Sequence, residues 1–416
     1  MQKESVSFIS SQYIFILGMV LNFNTIWGSS NQYQSIWPYF VFLLLLCALI
    51  ILCIQKRIKN INKIIKFTLL LVIYFGLQFM MRPYNIGFAG QLLSYIILSG
   101  WYIIIYSGYS SIISLVEKYN NVMFMIALSA LFFYIFGSVF SVISPTGSLQ
   151  SNWASGNDGT GITVPGYLGI YFEAQVIDAF DEDGLVRNTA IFTEAPMCSF
   201  CYCISMLFEI LIFKRTLMAT VFFMMVLSTI SSTGYVLMIA LIAYMFFNRK
   251  VSGFWIKIAK TFFSIFIIIG VMYMVEMIFS QKATSMSAIL RLDDYLVGFI
   301  TWLQSPFWGN GLGNVDCLIA NMDSWRAFSP SYQGFSNAPL LVLAQGGIYY
   351  GIVYLIAFFI AFKNAIKIKS RRYIILVMSL GYLFVLTVIP YRLLFIFFLY
   401  VMAFPLRDFF INREFE

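Results

Sequence analysis

Long apolar runs recur along almost the whole chain, and they limit its possible folds more than any other feature. Runs long enough to cross a bilayer, about 17 to 25 residues each, lie near 8–27, 36–54, 64–81, 88–107, 122–143 and 195–213. Six more lie near 216–231, 233–247, 259–279, 339–362, 373–389 and 393–406. Inside lipid each segment must satisfy its own backbone polar groups, so such runs become helices. Only 11% of the residues are charged, against about 25% in a soluble domain. The expected fold class is therefore all-α, a polytopic integral membrane protein with about 12 transmembrane helices in a single domain spanning residues 1–416.

Charge sets the expected orientation, because short cytoplasmic loops retain Lys and Arg. Twenty of the 26 basic residues fall on alternate connections, at Lys3, Lys56–Lys66, Lys118, Lys214–Arg215, Arg249–Lys260, Lys363–Arg372 and Arg407–Arg413. Both termini are then cytoplasmic, and the first run, without a basic flank or a small-residue cleavage site, is expected to be retained. This bias and anionic lipid headgroups account for the net charge of +8 without a nucleic-acid partner. Two long loops, about 144–193 and about 281–338, lie on the outer side.

Histidine is absent, which excludes a His-based triad, a His metal site and an imidazole base. The Cys198, Cys201 and Cys203 cluster reads as small apolar helix residues, since free Cys behaves as a small hydrophobe. With Cys317 alone in the outer loops, no disulfide framework is expected. Six basic residues remain on the outer side, Arg82, Arg187, Lys282, Arg291, Arg326 and Arg392. Arg grips phosphate with a planar fork, although any one of these side chains could equally pair with an outer acid. Trp153, Tyr167, Tyr171, Phe172 and Trp325 are candidates for stacking on sugar rings. Glu209 and Glu276 lie inside apolar runs, where acids are functional candidates.

The stretch from Gln281 to Pro339 gathers the most polar chemistry. From Ser287 to Leu303, Leu292, Leu296, Phe299, Ile300 and Leu303 recur at helical spacing while Arg291, Asp294, Tyr295 and Thr301 fall on another face. The pattern predicts an amphipathic helix suited to a membrane surface. Pro306 ends it, and Gly309, Gly311 and Gly313 predict a loop turn whose backbone lies close to a ligand or another segment. In the first loop, Arg187 and Glu194 are seven residues apart, which on a helix would place them on one face.

Three segments in this order resemble the O-antigen polymerase and O-antigen ligase group of bacterial membrane glycosyltransferases. They are RNTAIFTEAP from Arg187, STISSTGY from Ser228, and Arg291 followed by SPFWGNGLGN and SNAPLLVLAQGGIYYG. The resemblance covers Arg187 to Ala361 and the layout of spans and loops. Ser336 and Asn337 stand where the ligases have histidine and asparagine, which favours a Wzy-type polymerase.

Such a relation implies a GT-C-like fold and transfer of undecaprenyl-diphosphate-linked oligosaccharides at the periplasmic face of the inner membrane, with a chain-length regulator as partner. Departure of a lipid diphosphate builds charge that fixed Arg side chains can stabilise. Arg187 and Arg291 are the leading diphosphate ligands, followed by Arg82, Arg326 and Arg392. The base is expected among Glu194, Asp293 and Asp294, with Glu194 leading and an ion pair with Arg187 as its alternative role. Adjacent acids on a helix point apart, so no metal and no other cofactor is expected. An O-antigen ligase, a capsule polymerase and, from another class, a flippase of lipid-linked sugars are the rival readings.

Overall fold

Apolar sequence becomes helix wherever backbone hydrogen bonds must close within the segment, and helix dominates the computed structural model. It describes residues 6–155, 161–177, 185–248, 286–329, 332–387 and 389–413, with a few positions between 253 and 261. Seven described helices are long and apolar enough to cross a membrane. In chain order with their neighbours, the long helices are α1 (Val6–Leu21), α2 (Trp37–Gln55), α3 (Ile61–Met81), α4 (Ile86–Ser107), α5 (Ile113–Val139) and α6 (Ala195–Phe213). After these come α7 (Thr216–Ser228), α8 (Ser232–Asn248), α9 (Met286–Gln304), α10 (Ala338–Lys367), α11 (Arg371–Leu386) and α12 (Leu393–Ile411). Helices α1, α7 and α8 are apolar but shorter. The expected count of twelve spans is thus met only in part, and the run near 259–279, with Glu276 and Lys282, lies outside the described residues.

The all-α expectation needs correction in the first long loop. Gly147–Ser155 (β1), Gly161–Tyr167 (β2) and Tyr171–Phe172 (β3) form an antiparallel sheet, and Gln175–Ile177 (β4) pairs with Leu185–Arg187 (β5). Alternation drives this: Ile162 and Val164, two apart, share a small separate core with Ile26 and Phe172, while Tyr167, at odd spacing, turns to the other side and joins the main core. The register slips between Ser151 and Ser155, a bulge that re-aims the side chains it carries. Gly161 is required opposite it, since a Cβ there would stand 2.6 Å from the Ser151 carbonyl oxygen.

Helix α9 forms as its periodicity predicts, with its faces reversed relative to a helix in water. Leu292 and Leu296 are 72% and 59% exposed. Asp294 and Thr301, from the polar face, are buried against the protein. Beyond it, Gly309, Gly311 and Gly313 all take positive φ. Their close approaches are to other segments of the chain: Gly311 and Gly313 abut Tyr84 and Phe88, and Gly309 seats in α10 where it breaks at Gly347 (φ 63°). Asn310 N–H donates to Ala344 O at 2.9 Å and Gly311 N–H to Gln345 O at 2.9 Å, while Ile348 and Tyr349 N–H return bonds to Pro306 and Phe307. These bonds satisfy carbonyls that the broken helix leaves open.

A Cβ on Gly309 would lie 2.3 Å from the Gln345 carbonyl oxygen, at φ 70°. One on Gly334 would meet nothing. Gly309→Ala should therefore lower the thermal unfolding midpoint in detergent clearly more than Gly334→Ala, by the strain and displacement of a packed backbone. Equal midpoints for the two variants would contradict the clasp.

Candidate functional site

Arg187 ends β5 and reaches across to the C-terminal end of α7. Its Nε donates to Thr229 O at 2.9 Å, one terminal nitrogen to Ile230 O at 3.1 Å, and the other to Gln175 Oε1 at 3.2 Å. The carbonyls that end a helix carry partial negative charge, so they hold the cation without a carboxylate. Of the five N–H donors of a guanidinium, two remain. Burial lowers the Arg187 pKa, Glu194 pushes it back up, and Arg291 lowers it further.

Glu194 is the N-cap of α6, with extended backbone (φ −142°, ψ 147°), and its side chain does not cap its own helix. Arg187 and Glu194 therefore do not share a helical face; a strand end and a turn at Ala190 (φ 49°) lie between them. Thr193 N–H and hydroxyl both bond Asn24 O, at 3.0 and 3.2 Å, and pin this run to the end of α1. Gln175 Oε1 also accepts from Ala195 N–H at 3.0 Å, so one amide ties the Arg187 fork to the start of α6. The Glu194 carboxylate instead accepts the Trp153 indole N–H, which the β1 bulge turns toward it. Burial raises the Glu194 carboxyl above its ordinary value, while the Trp153 bond and the charges of Arg187 and Arg291 pull it down. None of the ion pairs among the described residues joins Arg187 to Glu194.

Arg291, on the inward side of α9, acts on both Arg187 and Glu194 and makes no hydrogen bond or ion pair among the described residues. Two guanidinium groups with a single carboxylate leave a local excess of positive charge. This is an arrangement that a multiply charged anion relieves.

Of these groups Glu194 lines a cavity of about 710 Å³, whose wall also includes Trp153, Gln175, Ser336, Gln345 and Tyr391. The Tyr391 hydroxyl is buried and has no partner among the described residues. Gln345 donates to Asn314 O at 2.9 Å and accepts from Gly313 N–H at 3.3 Å, so the glycine loop forms one wall of the cavity.

Other expected site residues do different work. Arg326 is 0% exposed and engages four of its five N–H donors. It pairs with Asp293 and Asp294 and donates to Tyr332 O at 2.8 Å and Gly334 O at 2.7 Å. Its fork spans two adjacent carboxylates that helical geometry was expected to separate. Asp294 also accepts from the Ser336 N–H at 2.7 Å and from the Ser336 hydroxyl. Burial raises the Asp294 pKa against the pull of Ser336 and Arg326. Arg326, Asp293 and Asp294, expected as a diphosphate ligand and candidate bases, are thus bonded to one another and clasp the second loop together.

Arg82 is exposed and donates to the Ser305 hydroxyl at 3.0 Å. Arg392 lines a neighbouring chamber. Tyr167, Tyr171 and Phe172 are buried core residues and offer no stacking face, whereas Trp153 does and Trp325 is exposed. Glu209 is buried and paired with Arg215 at 2.6 Å and Asn120 at 2.6 Å. Among the described residues no three His, Cys, Asp or Glu gather as a metal site.

Sequence reasoning did not find Gln175, Gln345 or Tyr391, and it chose Trp153 only as a stacking residue. The available signal for Trp153 was its place in a run of turn formers, where a bulge is expected, but its partner lies 41 residues on. The chain matches no family model and no curated protein.

Proposed function

We propose that the protein is a glycosyltransferase of the O-antigen polymerase type, joining polyprenyl-diphosphate-linked oligosaccharide repeat units at the periplasmic face of the bacterial inner membrane. The observation that carries this reading is the place of Glu194 in the wall of a cavity of about 710 Å³, with the charges of Arg187 and Arg291 acting on it. The outward apolar face of α9 then lies along the membrane surface, where a lipid-linked substrate arrives.

In the reaction, a hydroxyl at the non-reducing end of one repeat unit attacks the anomeric carbon of another. A C–O glycosidic bond forms, and the bond from that carbon to the diphosphate breaks. The proton of the attacking hydroxyl passes to the Glu194 carboxylate, and the polyprenyl diphosphate leaves with the electron pair. Arg187 and Arg291 stabilise the charge that grows on the departing oxygen. Arg187 does so from a fixed position that costs no reorganisation. A carboxylate raised toward neutral pH by burial is a better base than an exposed one.

Purified protein in liposomes, given only a polyprenyl-diphosphate-linked repeat unit, should make a ladder of longer chains and release polyprenyl diphosphate; no product longer than one unit would overturn the reading. Glu194→Gln should reduce transfer by about 10²–10⁴-fold, and the wild-type rate should fall as pH drops through the raised Glu194 pKa. The stability effect has the opposite sign. A carboxyl whose folded pKa is raised contributes stability below its unfolded pKa and loses it as pH rises through the folded one. The permanently neutral Gln variant should thus be at least as stable as wild type at neutral pH. A variant that is destabilised and still active would assign Glu194 a structural role.

A further inference from the structure

A second chamber, of about 300 Å³, lies beyond Trp153 and shares Trp153 and Thr193 with the first cavity. Its wall is rich in amides, from Asn22, Asn24, Gln34, Gln91 and Asn152, and it holds the Arg392 guanidinium. A side-chain amide has a donor end and an acceptor end, and here each spends one of them on the protein. Asn22 Oδ1 accepts from Leu393 N–H at 3.2 Å, and Asn24 Nδ2 donates to Met197 Sδ at 2.9 Å. Gln91 Nε2 donates to the Tyr95 hydroxyl at 2.9 Å, and Asn152 Nδ2 to Gln34 Oε1 at 3.2 Å. Among the described residues this leaves the donors Asn22 Nδ2 and Gln34 Nε2 and the acceptors Asn24 Oδ1, Gln91 Oε1 and Asn152 Oδ1.

Arg392 makes one hydrogen bond, to Asn22 O at 3.4 Å, and pairs with no carboxylate among the described residues. Burial without a counter-ion pulls its pKa down to about 10, which leaves it charged at neutral pH. Three aromatic residues, Trp37, Tyr95 and Trp153, complete the wall.

Mixed donors and acceptors around an aromatic face suit a ring of hydroxyl groups, each of which both donates and accepts. The uncompensated cation suits a carboxylate, which a guanidinium grips with paired bonds. The volume, at the small end of the range of about 300–1,000 Å³ for small-molecule sites, fits one ring. We propose that this chamber binds a single sugar ring bearing a carboxylate, its hydroxyls held by the amides and its acid group by Arg392. The inference rests on the transferase reading only in taking that ring to belong to the acceptor chain.

Binding needs no turnover, so it can be tested separately. Quenching of tryptophan fluorescence in the purified full-length protein is followed with a glucuronate-ended disaccharide, its glucose-ended counterpart and inorganic diphosphate. The acidic disaccharide should quench saturably, and the neutral one should bind about tenfold more weakly or worse, the loss expected for one charge-assisted hydrogen bond. Arg392→Gln should remove that preference, and Gln91→Leu should weaken both sugars. Diphosphate should not displace the acidic disaccharide.

Equal binding of the two sugars by wild type would overturn the proposal. So would an unchanged preference in Arg392→Gln, or displacement by diphosphate, which would give Arg392 to the carrier phosphates. Should Arg392→Gln fail to fold, the wild-type comparison and Gln91→Leu still decide. A protein that prefers the acidic sugar but makes no polymer contradicts the transferase reading alone. One that polymerises without the preference contradicts this chamber alone.

Discussion

Arg326→Ala should lose the folded protein rather than activity alone. The substitution strands Asp293 and Asp294, the latter buried, and opens the carbonyls of Tyr332 and Gly334. Removing one partner of a buried ion pair costs about 3–5 kcal/mol, because the other charge stays behind in a site that cannot hydrate it. That is a large share of the roughly 5–15 kcal/mol by which domains are stable. Arg326→Lys should rescue little, since a point ammonium cannot fork across two carboxylates and two carbonyls. The check is thermal unfolding in detergent with size-exclusion profiles. A variant that unfolds at the wild-type temperature yet has lost transfer would contradict the clasp and return Arg326 to the substrate.

Arg291→Ala should do the reverse. Arg291 has no hydrogen bond or ion pair among the described residues to lose, and the positive excess it shares with Arg187 is a cost to the empty protein. The variant should unfold no earlier than wild type. Transfer should fall by about 10²–10³-fold, the loss that follows removal of one fixed donor from a developing oxyanion. In the host, the polymer should collapse to a single repeat unit. The contrast between two arginines 35 positions apart on the same loop follows from their partners. One is paired with two acids, and the other has no such partner and acts through its charge on Arg187 and Glu194.

These contrasts also show what the sequence could and could not reveal. Helices α2 to α6, α10 and α12 were legible because lipid-crossing segments need long uninterrupted apolar runs. Helix α9 was legible because its apolar residues keep helical spacing. The strands of the first loop were not. They are short, and their pairing depends on Gly161, a bulge and contacts with residues near Ser30, none of which has a local signature. The glycines of the second loop marked a close approach, but not its partners: Gly309 meets the break at Gly347, some 38 residues away, while Gly311 and Gly313 meet Tyr84 and Phe88. Arg82, Arg187, Arg291, Arg326 and Arg392 looked alike because side-chain partnership is a tertiary property. The carbonyls that hold Arg187 belong to a helix end, and the acids that hold Arg326 lie a helix and a loop away.

The measurement that bears most directly on this account is the transfer rate of Arg291→Ala in the liposome assay, normalised to the folded fraction and set beside wild type. The account predicts a normally folded protein that makes almost no chain beyond one repeat unit. A normally folded Arg291→Ala that builds ladders at the wild-type rate would contradict it.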